Sequence, residues 1–130
     1  VCMNLTPDSR GFFNAERLGQ LRPGAVLVNV ARGELVSAPA LLSALEAGRL
    51  AGVGLDVYDQ EPALAVALRR GEAAAPTACR AVMALARRED VLCTPHNAFN
   101  THESVERKAA QSVQQVLHHR EHGRFLWPVP

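Results

Sequence analysis

The apolar run AVLVNV at positions 25–30 constrains the fold of this chain more than any other stretch. Only Asn29 interrupts the run, and continuous apolar runs of this length are typical of parallel strands that are covered on both faces. The run ends at Ala31-Arg32-Gly33, and a helical pattern resumes a few residues later. A buried strand that leads into a helix predicts an α/β fold, and Arg32 follows the strand where an anion could bind.

Apolar segments alternate with helical segments along the rest of the chain. Three further segments have strand character: residues 1–5, 53–58 and 91–94. Polar N-caps and apolar spacing predict three helical regions: Asn14 to Leu21, Ser37 to about Gly48, and 101–119. The alanine-rich residues 63–90, which Pro76 interrupts, predict either two short helices or one helix and a loop. This order of elements predicts a parallel α/β sheet in one compact domain.

Composition and charge exclude several classes of function. Of the 130 residues, 48% are hydrophobic and 21% are charged, and the formal net charge is +1. These values indicate a globular protein and give no reason to expect nucleic acid or a membrane as a partner, and no transmembrane run or signal peptide is visible. Cys2, Cys79 and Cys93 lack metal-ligand spacing, so we expect free thiols in a reducing cytoplasm. We also expect no metal at the histidine-rich residues 118–123, which have the pattern of a solvated helix end.

Charged and titratable side chains follow three of the predicted strands, where each strand ends: Arg32, then Asp56, Asp59 and Glu61, then His96. Ligands of open parallel sheets bind outside these carboxyl ends. The guanidinium of arginine matches a carboxylate in two hydrogen bonds, and histidine exchanges a proton near neutral pH. A carboxylate beside the imidazole fixes its tautomer and favours its charged form. The set fits a small 2-hydroxy or 2-oxo acid, with Arg32 on the carboxylate and His96 at the hydroxyl proton.

Each of these residues also has an ordinary structural interpretation. Arg32 could be a surface arginine, and Asp56 could be a helix cap or a turn residue, although a charge in such an apolar run needs a partner. Glu61 could be a solvated loop residue, and His96 could be a structural histidine. Their joint placement at strand ends, rather than any one of them, is the basis for predicting a site.

Three stretches of the sequence resemble the NAD-dependent D-isomer-specific 2-hydroxyacid dehydrogenases: LRPGAVLVNVARGELV, ALEAGRLAGVGLDVYDQEP and VLCTPHNAF. Their order and spacing match the family along nearly the whole chain, least well at 63–90. The resemblance implies that residues 1–130 form the C-terminal portion of a dinucleotide-binding domain: the second half of a Rossmann-type doubly wound parallel sheet plus a returning C-terminal helix. The family's glycine-rich loop and most of its substrate domain would lie upstream of Val1. We therefore expect the isolated 130-residue chain to be inactive.

The resemblance also implies a role for individual residues. Arg32 matches the arginine that binds the substrate carboxylate, and His96 matches the histidine that is the general acid/base. Glu61 matches the glutamate that supports this histidine, and Asp56 matches an aspartate on the nicotinamide side of NAD. The implied cofactor contacts are Met3, Asn4, Ser9, Val30, Ala31, Arg32 and Asp56.

Departures from the family pattern leave the substrate and some cofactor contacts open. The family's usual HVPLT is CMNLT here, with Cys2 and Asn4 in place of histidine and proline. The stretch TPHNAFNT resembles the D-lactate dehydrogenase branch, although Asn100 replaces a tyrosine often found there. The alternatives to an enzyme are an NAD-sensing corepressor or binding module, or an inactive remnant of a truncated gene. By family analogy, we expect the full-length form to be a homodimer.

Overall fold

The computed structural model describes residues 1–70 and 77–128. It divides into two compact units, Val1–His96 and Asn97–Pro130, and each unit is described by itself. The break predicted at Pro76 and the last two residues of the C-terminal tail lie outside the described residues.

The first unit is a three-stranded parallel sheet with helices between the strands, which confirms the predicted parallel α/β arrangement. The strands follow one another in the order β1-β2-β3, and in register Asn29 pairs with Leu55, which pairs with Cys93. The elements in chain order are α1 (Ala15–Gly19), β1 (Ala25–Asn29), a 3-10 turn (Gly33–Leu35), α2 (Ala38–Glu46), β2 (Leu50–Leu55), α3 (Glu61–Arg70), α4 (Thr77–Leu85) and β3 (Val91–Cys93).

Polar side chains begin the first two helices where the sequence predicts them. The Asn14 side chain accepts the Arg17 backbone N–H at 3.0 Å, and Ser37 Oγ accepts the Ala40 backbone N–H at 3.4 Å. These bonds satisfy donors that a helix N-terminus leaves without partners. Gly48 adopts a left-handed φ of 67° directly after the α2 C-cap, so the predicted glycine stop is also confirmed.

Two of the predicted strands differ from the structure. Residues 1–5 form no strand with the described residues, although Val1, Met3 and Leu5 pack against the core and alternate with exposed neighbours. This alternation accounts for the strand signal, but the segment lacks a ladder of backbone hydrogen bonds. The strand predicted at 53–58 instead covers Leu50–Leu55, and Asp56 lies directly after its end, where its carboxylate accepts the Thr94 hydroxyl. Within the described part of the interval 63–90, α3 and α4 are two separate helices, the first of the two predicted alternatives.

The hydrophobic core covers only one face of the sheet. Leu27 of β1, Val53 of β2 and Leu85 of α4 belong to one buried cluster, together with leucines of α1 and α2. On the opposite face Val26 is 66% exposed and Val28 is 49% exposed. The prediction that β1 is covered on both faces is therefore wrong for the described residues. Strands that follow one another in one direction, with right-handed crossovers, place their connecting helices on the same side.

The second unit is built on one long helix, α5 (His102–His122), which confirms the helix predicted at 101–119. Thr101 caps its N-terminus and Gly123, with a left-handed φ of 70°, ends it. The chain then folds back on the helix, where Gln115 Oε1 accepts the Leu126 backbone N–H at 2.7 Å and Phe125 stacks on His119. None of the helices in the described part of the chain is long and apolar enough to span a membrane.

Candidate active site

A glutamate and a histidine that follow neighbouring strands form a hydrogen-bonded pair. His96 Nδ1 lies 2.9 Å from Glu61 Oε2. Glu61 is the first residue of α3, shortly after β2, and His96 lies three residues after the end of β3. The second carboxylate oxygen, Glu61 Oε1, accepts the Tyr58 backbone N–H at 3.1 Å. A proton on Nδ1 donates to the carboxylate and leaves His96 Nε2 as the atom that can exchange a proton.

The backbone at this pair adopts a conformation that most residues avoid. His96 has a φ of 53°, and Gln60, directly before Glu61, has a φ of 54°. Left-handed backbone at non-glycine residues is uncommon and persists where the surrounding contacts enforce it. The strain therefore coincides with the two positions that bring the imidazole and the carboxylate together.

Hydrogen bonds also join the carboxyl ends of the three strands to one another. Thr94 Oγ1 donates to Asp56 Oδ1 at 2.6 Å, and the Thr94 backbone N–H donates to Leu55 O at 2.9 Å. The Asp56 backbone N–H donates to Asn29 O at 3.0 Å, which links β2 to β1. Asp56 is only 3% exposed, so the threonine hydroxyl supplies a partner that a buried carboxylate requires. The cofactor contact expected for Asp56 stays a prediction.

The turn that carries Arg32 is shaped by a buried asparagine. Asn29 is 1% exposed; its Nδ2 donates to Arg32 O at 2.9 Å and its Oδ1 accepts the Ala31 backbone N–H at 3.1 Å. The Arg32 side chain is exposed and uses Nη1 to donate to Ala31 O at 2.7 Å. The remaining guanidinium donors keep the geometry that matches a carboxylate.

Most of the predicted cofactor residues line one cavity of about 570 Å³. It is lined by Cys2, Met3, Asn4, Leu5, Thr6, Val30, Ala31 and Arg32. This volume lies within the range of small-molecule sites, and its lining combines apolar walls with amide, hydroxyl and guanidinium groups. A cofactor that has both a planar ring and polar groups therefore fits these residues.

Ser9, Glu61 and His96 lie apart from that cavity lining. Ser9 is buried within its own loop, where its hydroxyl donates to Asn4 O at 2.8 Å and accepts the Thr6 backbone N–H at 2.7 Å. Glu61 and His96 line a second cavity of about 200 Å³ together with Tyr58 and the apolar side chains of Leu64, Ala65, Leu68 and Pro95. The structure thus places Arg32 at one cavity and the Glu61–His96 pair at another, and the expected roles of these residues stay predictions.

Four residues outside the predicted set support the site: Asn29, Gly33, Tyr58 and Thr94. A polar residue within an apolar run signals a side chain with hydrogen-bond partners, so Asn29 could have been found. The other three could not have been found from local patterns in the sequence. Tyr58 and Thr94 act through long-range hydrogen bonds, and Gly33 through its close approach to residues 58 and 59. Across the described ranges, no group of three or more His, Cys, Asp or Glu side chains is placed to hold a metal ion.

Comparison with known proteins places these features in a family. Residues 1–98 match the family model of the "D-isomer specific 2-hydroxyacid dehydrogenase, NAD binding domain". A 2-hydroxyacid dehydrogenase A of Aspergillus oryzae is 40% identical over 78% of this chain and 28% of its own length. A D-lactate dehydrogenase of Treponema pallidum is 32% identical over 85% of this chain and 33% of its own length. The chain thus spans about a third of the length of these relatives.

A solved structure supports the same assignment. The NAD complex of a D-isomer specific 2-hydroxyacid dehydrogenase from Lactobacillus delbrueckii ssp. bulgaricus matches 98% of this chain and 38% of its own, with a TM-score of 0.83 and 30% identity. This likeness confirms the Rossmann-type fold, and NAD is the cofactor of the matched family domain. The chain therefore belongs to the D-isomer specific 2-hydroxyacid dehydrogenase family.

Proposed function

We propose that this chain is the NAD-binding part of an oxidoreductase that transfers a hydride between NAD and a D-2-hydroxy acid or its 2-oxo acid. The observation that carries the proposal is the pairing of His96 Nδ1 with Glu61 Oε2 at 2.9 Å, at the carboxyl ends of adjacent parallel strands. A histidine oriented by a carboxylate is the arrangement that a general acid/base requires. Family membership supplies the reaction class for this pair.

The residues of this chain would perform two tasks: transfer of the hydroxyl proton and binding of the substrate carboxylate. Bound NAD would supply the hydride acceptor for C2 of the hydroxy acid. His96 Nε2 takes the hydroxyl proton in the same direction and returns it to the ketone oxygen in the reverse direction. Glu61 stabilises the imidazolium that forms, since an opposite charge within hydrogen-bond distance favours it. Arg32 binds the substrate carboxylate and polarises the carbonyl group.

The cofactor is proposed to occupy the cavity of about 570 Å³ at the end of β1. Met3, Asn4, Val30 and Ala31 line this cavity with Arg32, and each is a predicted cofactor contact. Ser9 would act indirectly, because its hydroxyl holds the Asn4 carbonyl and the Thr6 amide in one loop conformation. Asp56 would serve the nicotinamide side of the site, with its carboxylate held by the Thr94 hydroxyl.

The substrate, location and assembly follow by analogy with the relatives. Relatives of this chain are D-lactate dehydrogenases, glyoxylate reductases and a glycerate dehydrogenase, so a small 2-oxo acid is the proposed substrate class. Because TPHNAFNT resembles the D-lactate dehydrogenase branch, pyruvate is the first 2-oxo acid to test. The free thiols Cys2, Cys79 and Cys93 favour a cytoplasmic enzyme, and the family analogy favours a homodimer.

The experiment assays the full-length protein with NADH and a series of 2-oxo acids: pyruvate, glyoxylate, hydroxypyruvate and 2-oxoisocaproate. We expect NADH to be oxidised with at least one of them, measured as loss of NADH absorbance. NADH binding without turnover on any 2-oxo acid would contradict an enzyme and favour the NAD-sensing module instead.

Replacing Arg32 with lysine should raise the KM for the 2-oxo acid about 10- to 100-fold, since the ammonium group cannot form the paired hydrogen bonds of a guanidinium. Steady-state kinetics at saturating NADH measure the change. Arg22→Lys is the matched control, because Arg22 is exposed and precedes β1, whereas Arg32 follows it. Equal KM values for the two variants would contradict the assigned contact.

A further inference from the structure

Tyr58 contacts Glu61 and the backbone two residues before His96, without belonging to the pair. Its backbone N–H donates to Glu61 Oε1 at 3.1 Å. Its hydroxyl oxygen lies 2.7 Å from Thr94 O, two residues before the histidine, and 3.0 Å from Leu55 O at the end of β2. One residue therefore joins the loop that carries the glutamate to the strand end that carries the histidine.

The carbonyl oxygen of Thr94 links the Tyr58 hydroxyl to the backbone of His96. Thr94 O also accepts the His96 backbone N–H at 3.1 Å, which closes the tight turn through Pro95. His96 has its left-handed φ of 53° in that turn. A strained conformation persists only where neighbouring contacts enforce it, and the Tyr58 hydroxyl is such a contact.

The hydroxyl stays a donor throughout the neutral pH range. Burial raises the pKa of Tyr58 above its ordinary value, and the neighbouring Cys93 and Asp56 raise it further. The phenol therefore remains protonated, and its one proton can donate to Thr94 O, the nearer of the two carbonyl oxygens.

We propose that Tyr58 is a positioning residue of the active site, whose hydroxyl fixes the Thr94–His96 turn and thereby aligns His96 with Glu61. The inference rests on the proposed function, because the alignment matters for catalysis only if His96 exchanges a proton. Tyr58 also packs against the hydrophobic core, so the hydroxyl and the ring must be tested separately.

The test compares Tyr58→Phe with the full-length wild-type protein, because phenylalanine keeps the ring and removes only the hydroxyl. We expect kcat to fall about tenfold, with KM for the 2-oxo acid changed less than about twofold, since one hydrogen bond is lost and no substrate contact is removed. A second readout is the proton NMR signal of the His96 Nδ1–H bonded to Glu61, identified by its disappearance in His96→Asn. We expect solvent exchange to broaden or remove this signal in Tyr58→Phe.

Ser37→Ala is the matched control for a loss of stability alone. It removes the N-cap of α2, which costs stability but touches neither member of the pair. We expect it to lower the unfolding midpoint without changing kcat or the Nδ1–H signal. A Tyr58→Phe protein that keeps the signal and the wild-type kcat would overturn the proposal, and so would one that behaves like Ser37→Ala.

The proton signal separates this inference from the proposed function. If the full-length protein oxidises no NADH with any 2-oxo acid, the proposed function fails, and the signal still decides the role of Tyr58. Loss of the Nδ1–H signal in Tyr58→Phe but not in Ser37→Ala supports the positioning role. Persistence of the signal in Tyr58→Phe refutes that role.

Discussion

Replacing His96 with asparagine should lower kcat about 1000-fold and leave NADH binding almost unchanged. The loss follows because asparagine has no titratable group to replace Nε2, and general acid–base catalysis contributes roughly 10²- to 10⁴-fold. Asparagine is the best substitute because it tolerates the left-handed φ of 53° better than most residues, so the turn is retained. Stopped-flow and steady-state assays with NADH and the preferred 2-oxo acid measure the change.

NADH affinity should be preserved because His96 lies outside the lining of the cavity that collects Met3, Asn4, Val30 and Ala31. Fluorescence titration with NADH tests this separation. His102→Asn is the matched control, because His102 also faces a glutamate, Glu106, at 3.2 Å, but on the exposed surface of α5. If His96→Asn retained more than about a tenth of the wild-type kcat, His96 could not be the general acid/base.

The placement of the Glu61–His96 pair could be predicted because it depends on local patterns and one general rule. Apolar runs mark the strands, and parallel strands deliver the residues that follow them to one edge of the sheet. Glu61 and His96 are 35 residues apart, yet each comes shortly after the end of a strand, so the rule brings them together. Caps such as Ser37 are equally local, since the side chain bonds an amide three residues away.

The supporting contacts could not be predicted because they join residues that are distant in the sequence and follow no periodic pattern. The Tyr58 hydroxyl reaches Thr94 across 36 positions, and Thr94 Oγ1 reaches Asp56 across 38. Residues 1–5 alternate as a strand does, but strand formation also requires a partner with free backbone groups. Sequence patterns thus predict which groups reach the site, whereas tertiary contacts determine how they are held.

Gly33 packs so closely against the backbone of residues 58 and 59 that no side chain fits at this position. A Cβ atom built on Gly33 would lie 1.9 Å from Tyr58 C, 2.2 Å from Asp59 N and 2.3 Å from Tyr58 O. All three are backbone atoms, so no side-chain rotation can relieve the overlap. The turn after β1 and the loop before α3 can approach this closely only because residue 33 is glycine.

Gly33→Ala should therefore destabilise the protein by about 3 kcal/mol or more, the upper range for overpacking of a buried site. Urea unfolding followed by circular dichroism measures the loss. The variant that remains folded should also have a lower kcat, because displacing Tyr58 moves the amide that binds Glu61 Oε1. Gly19→Ala is the matched control, since Gly19 ends α1 with no atom within 4 Å of a built Cβ. Equal unfolding midpoints for the two alanine variants would mean that the two loops separate at little cost, and that their close packing does not hold the glutamate in place.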